Sequence, residues 1–233
     1  MKIAWLIAVL SICFTVVAGS RLHGTMAWTA LRHEAQAATD GSPRRVPVYV
    51  TNFELDVVPL PPGQRSPQAA NPSQPGAPTE PPPDPAKLAS HLVDMMATNL
   101  VESLQKAGYP AQRLQPGQGR PGNGVQIRGI FAEVDAQNHW RRAVIRGGSE
   151  TGAMNALVAL ANLARPEQAL YEIAHLPGNA NKPGAVITLS PYVPLEKFDI
   201  NKNADEKAFA GIAVRVVADL DALLRNNPSA LPE

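Results

Sequence analysis

Residues 116–124, PGQGRPGNG, and residues 125–135, VQIRGIFAEVD, decide the fold class of this chain. Three glycines of the first segment match the spacing G-x-G-x-x-G, which binds dinucleotide pyrophosphates where it links a buried strand to the N-terminus of a helix. Here the order is reversed, because the glycines follow a predicted helix and precede a predicted strand. Pro121 also removes one N–H group from the motif. We therefore predict a helix-to-strand loop and no cofactor-binding residues.

The helix that precedes this loop is indicated at both of its ends. Asp84 is a typical N-cap, Pro85 fits the first helical position, and Gly108 with Pro110 ends the pattern. The apolar residues that recur every fourth position are Leu88, Leu92, Met96, Leu100 and Leu104. This periodicity predicts an amphipathic helix that packs on a sheet.

Further strands and a second helix are predicted on either side. Residues 46–53, VPVYVTNF, alternate with a period of two and predict the first strand. Residues 153–164 fit both a helical face and a strand, and their pattern leaves the two alternatives open. QALYEIAHLPG and GAVITLSPYV predict two later strands. The closing helix has an apolar face and an N-x-x-E capping pattern formed by Asn203 and Glu206.

These elements predict a single α/β domain over residues 46–227, with a mixed or antiparallel sheet and two amphipathic helices packed on it. A Pro-rich insertion interrupts it at residues 59–85, where 11 of 27 residues are proline. Such a composition cannot bury a core, so we predict a disordered, solvated loop. Residues 228–233 form a predicted tail.

The N-terminus predicts export. Residues 1–20 contain a basic Lys2, a continuous apolar run from Ile3 to Ala18, and small residues at the end, which is typical of a secretory signal peptide. Residues 21–45 are predicted to be a flexible tether. The alternative is an uncleaved anchor in the inner membrane, because the run approaches the length that spans a bilayer. Cys13, the one cysteine, lies inside the apolar run and lacks a preceding small residue, so it does not indicate a lipoprotein.

Charge and motif patterns predict no catalytic or metal-binding residues. The 21 basic and 20 acidic residues leave a net charge of +1, which does not favour nucleic acid as a partner. His91 and Asp94 lie one helical turn apart without a third ligand, and we interpret them as a surface pair. Ser149 and Glu150 lie in RGGSETG, which lacks both the G-x-S-x-G and the Walker pattern and predicts a tight turn.

A possible polar contact surface is predicted in residues 139–146, HWRRAVIR. In one continuous strand, Arg142 and Arg146 lie on one face, near Trp140, and Arg141 lies on the other. Such a surface suits an anionic component, although solvated arginines on an exposed sheet face are the commoner case. The acidic residues expected to pair with these arginines from the adjoining strand are Glu133 and Asp135.

The order of these segments resembles a known protein family. The segments are VYVTNFEL, DPAKLASHLVDMMATNLVESLQKAGY, VQIRGIFAEVD, RRAVIRGGSETGAMNALVALANL and DEKAFAGIAVRVVADLDALL. Together they resemble the bacterial envelope proteins of domain-of-unknown-function family 4410 (DUF4410), over roughly residues 46–225. The resemblance implies a hairpin that leads into a long strand, which favours a strand over residues 153–164. It implies no catalytic residues.

The sequence thus favours an exported, periplasmic or envelope-associated protein that is not an enzyme and uses no cofactor. We predict a binding or assembly module of the bacterial cell envelope. Its expected partner is another envelope protein or an anionic envelope component, not nucleic acid, with membrane association if residues 1–20 are retained. The alternatives are a subunit of an envelope secretion or transport complex, which predicts an exposed apolar patch, and a hydrolase, which predicts a polar pocket that gathers titratable residues.

Overall fold

A computed structural model describes the chain at residues 46–59, 84–147, 152–164, 168–178 and 181–226. The predicted signal peptide, the tether, nearly all of the Pro-rich insertion, the Ser149–Glu150 turn and the tail lie outside the described residues. None of the helices in the described ranges is long and apolar enough to cross a membrane.

Ten strands and two helices make up the described fold. The strands are β1 (Val48–Thr51), β2 (Asp56–Val58), β3 (Ala111–Leu114), β4 (Val125–Val134), β5 (Trp140–Arg142), β6 (Val144–Arg146), β7 (Ala153–Asn162), β8 (Tyr171–Ile173), β9 (Ile187–Leu189) and β10 (Leu195–Asn201). The helices are α1 (Pro85–Lys106) and α2 (Glu206–Asn226). The strand alternative for residues 153–164 is therefore the correct one.

The main sheet has six strands and mixes parallel with antiparallel pairs. Its order is β10-β7-β4-β1-β3, with β5 paired to the second half of β4. β1 is parallel to both β3 and β4, whereas β7 is antiparallel to β4 and β10. Two small sheets complete the fold, the parallel pair β2–β6 and the antiparallel pair β8–β9. The predicted fold class, a mixed sheet with two helices, is confirmed.

The two edges of the main sheet are short or charged. At one edge, β3 has only four residues, and Gln105 Nε2 donates to the carbonyl of its Ala111 at 2.9 Å. At the other edge, β10 exposes Glu196, Lys197 and Asp199. Neither strand was predicted from the sequence, and β3 lies between α1 and the glycine loop. That loop therefore connects two strands, which corrects the predicted helix-to-strand connection.

Both helices begin at an aspartate that accepts a hydrogen bond from the first turn. The Ala86 amide donates to Asp84 Oδ1 at 3.0 Å, and Pro85 occupies the start of α1, as predicted. In α2 the Ala208 amide donates to Asp205 Oδ1 at 3.0 Å. The predicted cap at Asn203 is therefore wrong by two residues, because Asp205 offers the same kind of acceptor closer to the apolar face.

The two helices cover one face of the sheet, which we call the helix face. Fully or almost fully buried side chains of α1 and α2 pack there on Val48, Val50, Ile127 and Phe131 of the sheet. The opposite face, which we call the ribbon face, packs on the β8–β9 pair and the loops around it. Its smaller core comprises Ile130, Ala132, Leu157, Ala159, Leu170, Ile187 and Val193.

Two glycines of the β4 region are fixed by close contacts. A Cβ atom on Gly129 would lie 2.3 Å from the ring of Phe53, which packs over the strand and against Phe131 with 5.7 Å between ring centroids. Gly124 has φ +112, and a Cβ atom there would lie 2.6 Å from the Pro47 carbonyl oxygen. By contrast, Gly119, inside the G-x-G-x-x-G match, has no neighbour that a Cβ would meet within 4 Å. The glycines that close packing requires, Gly124 and Gly129, thus lie outside the G-x-G-x-x-G match.

Candidate functional site

The arginine segment does not form one continuous strand. β5 ends at Arg142 and belongs to the main sheet, whereas Arg146 ends β6 and belongs to the pair β2–β6. The change of sheet occurs at Ala143, so strand alternation does not place Arg142 and Arg146 on a common face. The structure also separates their surroundings, since Arg146 is exposed and the Arg142 side chain is only 17% exposed.

Trp140 is occupied by contacts within the chain. It packs against the core of the ribbon face, and the Lys197 ammonium lies over its ring, 5.4 Å from the centroid. A cation over an aromatic face is attracted by the ring quadrupole. The side chain of Lys197, from β10, thus occupies a face of the Trp140 ring on which a ligand could otherwise stack.

Of the two acidic residues expected to pair with the arginines, one does so and the other has a different partner. Asp135 accepts from Arg141 Nε at 2.7 Å, as predicted. The backbone amide of His139 and the Arg141 guanidinium lower the pKa of the Asp135 carboxyl to about 2. Glu133 is paired instead with Lys202, whose Nζ is 2.8 Å from Glu133 Oε1. That part of the prediction is wrong because Lys202, 69 residues further on, follows the unpredicted strand β10.

Arg142 is held in a polar network on the ribbon face. Its Nε lies 3.0 Å from Asp56 Oδ2, and the same carboxylate oxygen accepts from the Gly184 amide at 2.8 Å. Burial by itself lowers the pKa of Arg142, but the Tyr171 hydroxyl and the Asp56 charge raise it above its usual value. The guanidinium is therefore a permanent cation that joins β5 to the segments around Asp56 and Tyr171.

Tyr171 of β8 connects this network to Glu54. The Tyr171 hydroxyl donates to Glu54 Oε2, across 117 residues of sequence. Burial is the largest cause that raises the pKa of the Tyr171 hydroxyl, and the hydrogen bond to Glu54 raises it further. The phenol thus remains protonated at neutral pH and acts as a fixed hydrogen-bond donor.

An open cavity of about 600 Å³ lies beside this network on the ribbon face. Its polar lining residues are Glu54, Arg120, Arg128, Gln168 and Tyr171. Its apolar lining residues are Ala169, Leu170 and Ile173. Arg128 projects from β4 and its Nη2 donates to the Gln168 carbonyl, so one strand of the main sheet and the segment before β8 meet in one concave site. We call this site the ribbon-face cavity.

A second, smaller cavity of about 420 Å³ lies near the β3 edge. Its lining includes Tyr49, Gln105, Tyr109 and Gln112, and all of its described lining residues are uncharged. The ribbon-face cavity is the larger of the two and combines apolar walls with charged groups, which is typical of ligand sites.

The other candidates from the sequence take up ordinary structural positions. Asp94 pairs with Arg113 at 2.6 Å, and His91 is exposed one turn away on α1. Among the residues that the structure describes, no three His, Cys, Asp or Glu side chains are arranged to hold a metal ion. Ser149 and Glu150 lie outside the described ranges.

A polar signal for the cavity was present in the sequence of β4. Gln126 and Arg128 alternate with apolar residues in an otherwise buried strand, which indicates a polar patch on one face. Glu54 and Tyr171 carried no comparable local signal, because a glutamate after a strand and a tyrosine in a short strand are common at solvated positions. Only the tertiary fold brings them to Arg128.

The fold and the cavity define a small α/β domain with a six-stranded mixed sheet and a concave polar site on one face of that sheet. The family model described as "Domain of unknown function (DUF4410)" matches residues 48–194, which is more than half of the 233 residues. The chain therefore belongs to the DUF4410 family. The match ends before β10 and α2, whereas the resemblance was expected to extend to about residue 225.

One solved structure similar to this chain is described as a neuraminyllactose-binding hemagglutinin homologue from Helicobacter pylori. It has 10% sequence identity and a TM-score of 0.28, and the match covers 78% of this chain and 84% of that chain. No curated protein matches this chain.

Proposed function

We propose that this protein is an exported, non-enzymatic binding module of the bacterial cell envelope, and that the ribbon-face cavity is its binding site. The observation that carries the proposal is the cavity itself. At about 600 Å³ it falls within the usual size of small-molecule sites, and it combines an apolar wall with a few fixed polar groups.

Binding, as opposed to catalysis, is supported by the protonation states of the lining groups. Arginine does not release a proton in proteins, and the raised pKa of Tyr171 keeps its hydroxyl protonated at neutral pH. A general acid or base works best when its pKa lies near the working pH. Arg120, Arg128 and Tyr171 therefore suit the recognition of a ligand better than proton transfer, and Glu54 is the lining carboxylate that the hydrolase alternative would have to use.

The place of action in the proposal rests on the sequence of residues 1–20. The basic residue, the apolar run and the small residues that follow it support export to the periplasm or envelope. The alternative of a secretion-complex subunit predicts one exposed apolar face. The exposed large apolar residues in the described ranges are Val58, Val134, Leu176, Tyr192 and Val214, which lie on five separate segments of the sequence.

Native mass spectrometry of the protein purified from an envelope fraction tests the proposal. We expect a small molecule to be retained by the unchanged protein and lost from Ala169→Trp, whose indole would fill the cavity. Ala218→Trp, at an exposed position of α2, is the matched control and should retain the ligand. Small-molecule binding that is identical in both variants, or its absence from the unchanged protein, would contradict the proposal.

A further inference from the structure

We propose that the smaller cavity, of about 420 Å³ near the β3 edge, binds the Pro-rich insertion of a second copy of this chain. We call it the β3-edge cavity. Its described lining residues differ from those of the ribbon-face cavity, so the inference goes beyond the proposed function and does not depend on it. The lining of the cavity, the spacing of the prolines and the reach of the chain carry the inference.

The β3-edge cavity has a lining typical of grooves that bind proline-rich segments. Its walls are formed by tyrosines, prolines and glutamine amides, and none of the described lining residues is charged. The residues that form these walls are Pro47, Tyr49, Gln105, Tyr109, Pro110 and Gln112. Aromatic-lined grooves bind proline-rich segments because these lose little conformational entropy on binding. Such a segment offers carbonyl groups but few N–H groups, and a glutamine amide can donate to these carbonyls.

The walls of the cavity are fixed by contacts with the rest of the fold. A Cβ atom on Gly124 would lie 2.9 Å from Tyr49 Cε2 and 3.0 Å from Pro47 Cγ, so both of these residues pack directly on the glycine. At the end of α1, Gln105 Nε2 donates to the Ala111 carbonyl at 2.9 Å. The cavity is therefore formed before a ligand arrives, which lowers the entropic cost of binding.

The insertion contains an uncharged segment whose prolines have the period of a polyproline II helix. The charged residues among residues 60–83 are Arg65 and Glu80, and the segment between them is SPQAANPSQPGAPT. In this segment Pro72, Pro75 and Pro78 recur at every third position. Because polyproline II has three residues per turn, prolines at this spacing lie on one side of it. An uncharged segment with one row of proline rings suits an uncharged cavity with aromatic walls, because no charge has to be buried.

The reach of the chain favours a second copy as the source of this segment. The insertion returns to the fold at Asp84, the N-cap of α1, and Gln105 lies at the other end of that helix. At a rise of 1.5 Å per residue these two positions are about 31 Å apart. Six residues lead from Pro78 to Asp84, and an extended chain of that length spans about 21 Å. The three spaced prolines therefore cannot all reach the cavity of their own chain, whereas a second copy has no such restriction.

The contact joins two different surfaces of the protein. Each copy has an insertion, which returns to the fold at the start of α1, and a β3-edge cavity, which includes the end of α1. Contacts of this kind join copies head to tail, as closed rings or as longer chains. We therefore expect a self-association that depends on protein concentration and requires both surfaces.

Sedimentation velocity of the protein purified from an envelope fraction, over a range of concentrations, tests the inference. We expect the unchanged protein to self-associate. The triple variant Pro72→Ala, Pro75→Ala and Pro78→Ala should weaken this association by about tenfold or more, because the rings that pack in the cavity are lost. The matched control replaces the three prolines of residues 81–83 with alanine and should associate like the unchanged protein.

Variants of β3 test the cavity side of the contact. Gln112→Glu introduces a charge into the uncharged lining and should weaken the association by about tenfold or more, because the bound segment would remove water from a carboxylate. Gln115→Glu adds the same charge just after β3, outside the described lining, and is the matched control. Both glutamines are exposed, so both variants should fold.

A synthetic peptide of residues 66–79 tests the occupant directly. Added in excess, it should dissociate the copies, whereas the same peptide with alanine in place of the three spaced prolines should not. A protein that stays monomeric at every concentration but binds the peptide would overturn the second copy as the occupant and indicate a proline-rich partner. Association that both triple variants retain or lose alike would overturn the insertion, and association that Gln112→Glu leaves unchanged would overturn the cavity.

Discussion

The two faces of the main sheet are held by different kinds of interaction. On the helix face a cluster of 27 buried apolar residues joins the sheet to α1 and α2. On the ribbon face the corresponding cluster has seven, and ion pairs and hydrogen bonds around Arg142 and Tyr171 take over much of the contact. A face that does not have to supply most of the stability can keep a cavity open for a ligand.

We expect the removal of residues 195–233 to destabilise the helix face more than any other change. The family match ends at residue 194, but β10 pairs with seven residues of β7, and α2 buries Phe209, Val216 and Leu220 on the helix face. We expect the shortened chain to lose cooperative thermal unfolding and near-ultraviolet circular dichroism, because the apolar surface of α1 loses its cover.

Deletion of residues 228–233 is the control and should leave the melting transition unchanged. A cooperative transition in the chain that ends at residue 194 would show that the helix face does not depend on α2, and the contrast between the faces would then be overstated.

A single methyl group added on the helix face should have the next largest effect. In Gly129→Ala the new Cβ would lie 2.3 Å from the Phe53 ring, and the ring cannot move without disturbing Phe131. Overpacking of this kind costs about 3 kcal/mol in the free energy of unfolding. Urea denaturation measures it.

Gly119→Ala, where the added Cβ meets no atom within 4 Å, is the matched substitution and should change the unfolding free energy little. Combining Gly129→Ala with Phe53→Ala should relieve the clash, so the two effects will not add. Simple additivity would mean that the Phe53 contact is not the cause.

The removal of one hydroxyl on the ribbon face should cost less. Tyr171→Phe deletes the donor to Glu54, and the loss of one hydrogen bond at a partly exposed site costs about 1 kcal/mol. Because the folded state raises the pKa of Tyr171, its contribution is complete at neutral pH and is lost as pH rises beyond the ordinary tyrosine pKa. Denaturation curves of the two proteins should therefore differ at neutral pH and converge at alkaline pH. A cost as large as that of Gly129→Ala would remove the distinction between the faces.

The smallest expected effect is at the turn between β4 and β5. The folded state depresses the pKa of Asp135 to about 2, so this carboxylate stabilises the fold above its ordinary pKa and ceases to do so as pH falls toward 2. Asp135→Asn should be slightly less stable than the unchanged protein at pH 7 and should lose less of its stability on acidification. Thermal melts across this pH range measure the difference. If the melting temperatures of the two proteins fall in parallel with pH, the Asp135 carboxylate does not stabilise the fold in this way.

On the helix face, the two helices and the central strands could be predicted from the sequence, whereas β3 and β10 could not. The bounds and the buried side of α1 follow from its N-cap, Asp84, and from the four-residue spacing of its apolar residues, because helix signals are local. These apolar residues are Leu92, Met96, Leu100 and Leu104. The long strands β4 and β7 followed from their branched residues and from the family resemblance.

The ribbon face and the edges could not be predicted in the same way. In β10 the charges at Glu196, Lys197 and Asp199 leave only Phe198 and Ile200 as an apolar alternation, so its strand signal is weak. The cavity depends on Glu54, Arg128 and Tyr171, which meet only when β1, β4 and β8 have assembled. Contacts between distant residues leave no periodic trace in a single sequence.

The two sheet edges also bear on how copies of this domain behave at high concentration. An unpaired strand offers its backbone groups to strands of other chains, and long apolar edges promote aggregation. Here one edge is a four-residue strand whose Ala111 carbonyl already accepts from Gln105, and the other carries exposed charges of both signs along β10. A further strand would have only a short or a charged edge to pair with, so each edge disfavours growth of the sheet into fibrils.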